Sequence, residues 1–120
     1  MVTIGLFRNS PETMQFLEGQ TIFSKGENGR EMFVVTEGEV DILIGENVVD
    51  TVGPGGIFGE LALIDDAPRS ATAVAKTLAK VVPVGERRFT FLLQQTPHFA
   101  IQVMRVMAER LKRHDPPAAG

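Results

Sequence analysis

Short apolar runs separated by turn residues dominate the chain from residue 12 to residue 84. In one run, Val40, Ile42 and Ile44 alternate with Asp41 and Leu43, so one strand face is wholly apolar. Glycine and asparagine fill many interruptions, where tight connections between strands demand positive φ. The pattern predicts many short strands in a sandwich or barrel. We place these strands at residues 14–18, 21–24, 32–36, 40–44, 48–52, 71–75 and 78–84.

The hydrophobic period becomes helical after Gly85. Residues 86–95 are predicted to form a hinge helix, and Thr96-Pro97 is typical of a helix start with proline at the first position. A second helix is predicted over 97–114, followed by a tail, 115–120. The fold class is therefore mainly β with C-terminal α: an antiparallel β-roll followed by two helices. We expect the apolar stripe of the last helix to contain Phe99, Ala100, Val103, Met104, Met107 and Leu111, and to pack on the barrel.

Composition narrows the class of protein. A chain of 120 residues with 43% hydrophobic residues is sufficient for one domain with a real core. Its apolar runs are too short to span a membrane, and its first residues lack the apolar stretch of a signal peptide. The absence of cysteine excludes disulfides, thiolate zinc sites and thiol catalysis. We therefore expect a cytoplasmic protein without a membrane partner.

Charge is distributed unevenly along the chain, whose net charge is −3. Residues 86–120 contain six basic and three acidic side chains, whereas residues 1–85 contain six basic and twelve acidic ones. A basic C-terminal segment can indicate nucleic-acid binding. Cations in the last turn of a helix also suit its dipole, and the acidic remainder would repel a phosphate backbone. We therefore predict no nucleic-acid partner.

A connection of about 18 residues separates the strand ending near Val52 from the next one, and loops of this length in compact domains are usually functional. Gly59 precedes a predicted helical turn, 60–64, whose unpaired N–H groups could bind an anion. Arg69 provides a planar fork suited to phosphate oxygens, and Glu60 could accept a bond from a hydroxyl. In the alternative reading, Glu60 and Arg69 form an ion pair that pins a surface loop.

Two segments of this connection carry a resemblance to a known family. Phe-Gly-Glu-Leu-Ala-Leu-Ile at 58–64, followed by Pro-Arg-Ser-Ala-Thr-Ala at 68–73, closely resembles the phosphate-binding cassette of cyclic nucleotide-binding domains. Such domains occur in catabolite-activator-type regulators, cyclic-nucleotide-dependent kinases and gated channels. The glycine pattern of residues 25–29 and 32–40 is similar too, so the resemblance covers roughly residues 12–114. It implies a β-roll (a jelly-roll) with a cassette at 53–73.

The resemblance assigns eight residues to a ligand site. It implies that Glu60 holds the ribose 2′-hydroxyl, that Arg69 holds the cyclic phosphate and that Gly59 permits close approach. A cyclic monoester carries one charge, so no metal or other cofactor is expected. Ser70 follows Arg69 directly. A serine at this place favours cGMP in some relatives and holds the phosphate in cAMP binders. We expect cAMP as the ligand, in preference to cGMP. The other residues assigned to the site are Phe58, Leu61, Ala62, Ser70 and Ala71, with the amides of Leu61, Ala62 and Ala71 and the hydroxyl of Ser70 around the phosphate.

The end of the chain departs from the pattern of the regulators, in which a long helix caps the base and a DNA-reading module follows. Here Pro116 stops the helix about where a base-capping residue is expected; Arg113 or His114 could touch the base, or could lie on a solvated helix end. We therefore expect a sensor without its own output domain. Movement of helices 86–95 and 97–114 would relay ligand binding to an unidentified protein effector.

Other functions fit the sequence less well. A cupin-type metal enzyme needs ligands inside the barrel, but both histidines, His98 and His114, lie in the last predicted helix. The chain has no Gly-x-Ser-x-Gly elbow and no P-loop lysine, so we do not expect an enzyme. The alternative is a degenerate scaffold of the same fold that binds no ligand; the presence of both Glu60 and Arg69 argues against it.

Overall fold

The computed structural model describes residues 12–114, with side chains up to residue 112. Within these residues the chain forms eight strands and three helices. In chain order they are β1 (Met14–Phe16), β2 (Thr21–Phe23), β3 (Glu31–Glu37), β4 (Val40–Ile44), β5 (Asn47–Val52), β6 (Ile57–Phe58), α1 (Leu61–Ile64), β7 (Thr72–Ala75), β8 (Ala79–Gly85), α2 (Glu86–Gln95) and α3 (Pro97–His114).

The strands form two four-stranded antiparallel sheets. One sheet has the order β1-β8-β3-β6 and the other β2-β7-β4-β5. Only β4 and β5 are both consecutive in the chain and paired; the other pairs join distant segments and close the roll. This arrangement confirms the predicted mainly β fold, an antiparallel roll followed by C-terminal helices.

Strand β3 is buried on both faces, which explains its uninterrupted apolar sequence. Met32 and Val34 pack in a cluster with Phe99 of α3, whereas Phe33 and Val35 point into the roll. All four β3 side chains are at most 4% exposed. A strand covered on both sides shows a continuous hydrophobic run instead of alternation. Strand β3 therefore separates the interior of the roll from the helical layer.

The two C-terminal helices pack on this sheet and on each other. The rings of Phe89 and Phe99 meet edge to face at a centroid distance of 5.9 Å, in a geometry that aromatic pairs favour. The buried face of α3 consists of Phe99, Val103 and Val106.

The predicted stripe of α3 was wrong at two positions. Met104 is 59% exposed and Leu111 is 70% exposed, while Met107 is partly buried against the core. Two overlapping apolar stripes run along this helix, and hydrophobicity alone does not distinguish them. The contact with the sheet selects the stripe that begins at Phe99 and Val103.

Several boundaries also differ from the prediction. Strand β6 was not predicted, because two residues between glycines show no period; it pairs with β3 through Phe58 and Ile57. Strand β7 begins at Thr72 instead of Ala71, and α1 begins at Leu61, with Glu60 at its N-cap position. The predicted tail, 115–120, lies outside the described residues. None of the helices within residues 12–114 combines the length and apolar character needed to cross a membrane.

Candidate functional site

The connection between β5 and β7 lines a cavity of about 180 Å³ on the side of the roll. The structure brings all eight residues that the sequence assigned to the ligand site to this one cavity. Leu61 and Ser70 are exposed, whereas Phe58 is buried. The opposite wall is apolar and contains Ile42, Ile44 and Val49. The eight assigned residues at the cavity are Phe58, Gly59, Glu60, Leu61, Ala62, Arg69, Ser70 and Ala71.

Arg69 is a buried cation at the floor of the cavity, 6% exposed. Its guanidinium donates from Nη1 to the carbonyl oxygen of Gly59 at 3.0 Å and from Nη2 to that of Glu31 at 2.9 Å. It also lies 4.1 Å from the centroid of the Phe23 ring, within the range of a cation–π contact. Burial lowers the pKa of Arg69 from its ordinary value, yet arginine remains charged in proteins. Within the part of the chain that the structure describes, the hydrogen bonds and the closest ring contact of this cation are to neutral groups, while Glu31, Glu27 and Glu60 attract it electrostatically.

Two glycines leave the space that the guanidinium occupies. A Cβ atom on Gly29 would lie 2.4 Å from Nε and Nη2 of Arg69. A Cβ atom on Gly59 would lie 2.8 Å from Nη1, and Gly59 also has φ of +79°, a region that side chains disfavour. The arginine can therefore occupy this position only beside residues without side chains.

Glu60 is the second buried ionisable group of the cavity, 3% exposed. Its Oε1 accepts a hydrogen bond from Nη1 of Arg110 at 2.5 Å. Arg110, on α3, also donates from Nε to Asp50 Oδ2 at 3.0 Å and from Nη2 to the carbonyl oxygen of Ile57. The ion pair at Glu60 thus joins the cassette to α3. The alternative predicted an ion pair between Glu60 and Arg69. In the structure, Glu60 instead forms its ion pair with Arg110.

Sequence reasoning missed Arg110 and Asp50. Position 110 continues the buried helical face of Phe99, Val103 and Val106 at helical spacing. A cation on an apolar face needs a buried partner, and that signal could have singled it out. Asp50 had no such signal, because its contact with Arg110 spans 60 residues. The side chains of Arg113 and His114, considered as contacts for a base, lie outside the described residues.

The geometry defines a class of site. A buried guanidinium, a buried carboxylate paired with a second arginine, a glycine-rich turn and apolar lining residues suit a small ligand with one negative charge, a hydroxyl and an apolar ring. An organic phosphate combines these three features.

Comparison with known proteins identifies the family. The family model of the cyclic nucleotide-binding domain matches residues 13–96, so the chain belongs to this family. Over 94 residues it is 38% identical to the cAMP-dependent protein kinase regulatory subunit of Mycosarcoma maydis, covering 71% of this chain and 18% of that protein. The chain spans less than half the length of the curated relatives it matches.

Solved structures agree with the fold. The catabolite activator protein of Thermus thermophilus superposes with a TM-score of 0.77 at 29% identity, over 86% of this chain and 51% of that one. A protein solved in work on a cyclic-GMP-dependent signalling pathway of bacterial phytopathogenesis superposes with a TM-score of 0.74, also at 29% identity, over 87% and 86% of the two chains.

Proposed function

We propose that the chain binds a cyclic nucleotide in the cavity beside residues 53–73 and relays this binding through its C-terminal helices. One observation supports the proposal above all: the eight residues assigned from sequence line one cavity, and among them the buried guanidinium of Arg69 donates its described hydrogen bonds to neutral carbonyl oxygens. A phosphate monoanion would form a direct, charge-assisted pair with this guanidinium.

Each part of the ligand has a complementary surface. The phosphate lies against Arg69, the hydroxyl of Ser70 and the amides of the cassette, and Glu60 accepts a bond from the ribose 2′-hydroxyl. The purine lies on the apolar wall, which includes Ile42 and Ile44. The described contacts of Arg69 use one N–H from each Nη, and a guanidinium has five N–H donors. Donors therefore remain for phosphate oxygens.

We propose cAMP as the preferred ligand over cGMP. The relative from Mycosarcoma maydis is named for cAMP, which supports this choice, while one structural neighbour comes from a cyclic-GMP pathway. Competition of the two nucleotides against a fluorescent cAMP analogue tests the preference. A lower inhibition constant for cGMP would reverse it. Replacing Ser70 by alanine in the same assay tests whether its hydroxyl contributes to phosphate or base recognition.

The relay uses the contact between the cavity and α3. Arg110 reaches Glu60 from α3, and α3 packs on α2 through Phe99 and Phe89. A ligand can shift these helices only through its different affinity for the two arrangements. Backbone NMR shifts of residues 86–114 should therefore change on saturation with cAMP. Unchanged shifts in these helices would contradict the relay.

Isothermal titration calorimetry separates this function from the alternative of a scaffold without a ligand. Arg69→Met removes the phosphate partner, and the loss of one member of a buried charge pair costs about 2–5 kcal/mol. The dissociation constant for cAMP should rise about 30-fold or more. Arg105→Met is the matched control, because Arg105 is exposed on α3. No heat from the unaltered protein at millimolar cAMP would support the scaffold.

A further inference from the structure

The segment that leads into β3, residues 29–31, touches the guanidinium of Arg69 from two sides. The carbonyl oxygen of Glu31 accepts the bond from Nη2 of Arg69 at 2.9 Å. Gly29 lies so close that a Cβ atom there would be 2.4 Å from the guanidinium nitrogens. A buried group packed this tightly cannot move without its neighbours. Displacement of the guanidinium toward a ligand must therefore move this segment, which we call the β3 entry segment.

The same segment also contacts the beginning of α2. In the antiparallel ladder between β3 and β8, Glu31 is the partner of Gly85, the N-cap residue of α2. Arg30 donates from Nη2 to Oε2 of Glu86, the first residue of α2, at 2.6 Å. The β3 entry segment thus joins α2 through its backbone and through a side chain.

Arg30 has a second partner at the end of the cassette. Nη1 of Arg30 donates to the carboxylate of Asp66, two residues beyond α1. Asp66 has φ of +50°, a left-handed conformation that aspartate tolerates better than most residues. The guanidinium of Arg30 therefore bridges the cassette and α2.

We propose that the β3 entry segment relays occupancy of the phosphate site to α2, and that the ion pair between Arg30 and Glu86 is its side-chain link. The inference rests on the proposed function and describes how that site is coupled to the helices. It is a route separate from Arg110, since it begins at Arg69 and ends at α2. Both partners are about half exposed, and pairs of this kind add little to stability. Breaking the link should change the relay and leave the fold and the site intact.

Ligand-induced NMR shifts of the α2 amides, residues 86–95, measure the relay directly. Arg30→Gln and Glu86→Gln remove the charge from either end of the link, and Glu86→Gln also keeps the length of the side chain. Lys80→Gln is the control, because Lys80 forms a similarly exposed ion pair with a different partner, Glu37. On saturation with cAMP, the α2 shift changes should fall to less than half in both link variants and stay unchanged in the control. The dissociation constant should remain within threefold of that of the unaltered protein.

The double variant provides the sharper test. If Arg30 and Glu86 act through one link, Arg30→Gln with Glu86→Gln should lose no more of the α2 response than either single change. An α2 response of full size in Arg30→Gln, or losses that add in the double variant, would overturn the inference. Loss of cAMP binding in both single variants would also overturn it, since the pair would then belong to the ligand site. Absence of cAMP binding by the unaltered protein would refute the proposed function instead.

Discussion

Arg110 offers a demanding test of the proposed contact between Glu60 and the ribose of the ligand. Glu60 is 3% exposed, and Arg110 is the cation that contacts it. A buried carboxylate without a partner either takes up a proton or turns toward water. The phosphate of the ligand would also repel it, because both are anions. Arg110→Met removes the positive charge and keeps much of the apolar part of the side chain. It should weaken the proposed hydrogen bond between Glu60 and the 2′-hydroxyl.

The expected size follows from the bond that is lost. A hydrogen bond to a charged group is worth about 1.5–3 kcal/mol, so the dissociation constant for cAMP should rise roughly 10- to 150-fold. The effect should be selective for the hydroxyl. The unaltered protein should prefer cAMP to 2′-deoxy-cAMP by a similar factor, and this preference should fall toward one in Arg110→Met.

Calorimetry measures the dissociation constants of cAMP and 2′-deoxy-cAMP for the unaltered protein, Arg110→Met and Arg105→Met. Arg105→Met, an exposed change of equal charge on the same helix, should bind both ligands as the unaltered protein does. Thermal unfolding monitored by circular dichroism shows whether Arg110→Met is folded at the assay temperature, since breaking a buried pair can cost about 3–5 kcal/mol of stability. Tighter binding of cAMP by Arg110→Met would refute the reasoning, because Arg110 would then compete with the ribose for Glu60. An unchanged preference between the ligands would refute it equally.

Two further predictions concern glycines with matched controls. Gly29→Ala should displace the guanidinium of Arg69 and raise the dissociation constant for cAMP at least tenfold in calorimetry. Gly53→Ala is the control, because a Cβ atom there meets nothing within 4 Å. Equal affinities of the two variants for cAMP would contradict the role of Gly29. Gly38→Ala should destabilise the fold by more than Gly45→Ala in urea unfolding. Both residues have positive φ, but only at Gly38 would a Cβ atom meet a backbone oxygen, that of Leu78 at 2.1 Å; equal losses would show that conformation alone sets the cost.

Local sequence was enough to single out the segment that lines the cavity. Its charged residues lie within ten positions of each other, between glycines whose conformational role can be recognised directly. The strands were also predictable, because the alternation in β4 and the apolar run of β3 reflect burial on one face and on two.

The remaining features depend on contacts between distant parts of the chain. Arg69 contacts Glu31 and Phe23, which lie 38 and 46 residues earlier in the chain. Glu60 contacts Arg110, 50 residues later. No local period encodes such pairs. The orientation of α3, which exposes Met104 and buries Val106, is likewise set by the surface of the sheet beneath it. Folding thus supplies the partners that turn two charged residues into a site.

If the proposed function holds, the contact between Arg110 and Glu60 couples the packing of α3 to ligand binding. Suppose that the ligand binds most tightly while Arg110 contacts Glu60. The ligand then stabilises the packing of α3 on the sheet, and by thermodynamic linkage this packing raises the affinity for the ligand. Val103→Ala tests this reciprocity without touching the cavity, because Val103 lies 3% exposed in the cluster beneath α3. Loss of its buried methyl groups should weaken packing by about 1–3 kcal/mol.

That weakening should appear in two measurements on Val103→Ala. Amide hydrogen exchange in α3 should accelerate without ligand, and the dissociation constant for cAMP should rise. Saturating cAMP should then slow amide exchange in α3. The factor should equal the one by which packing of α3 lowers the dissociation constant for cAMP, since coupling free energies are symmetric. Met104→Ala, at an exposed apolar position on the same helix, provides the comparison. Faster exchange with unaltered affinity would show that α3 and the cavity are independent, and Arg110 would then stabilise the fold without serving the site.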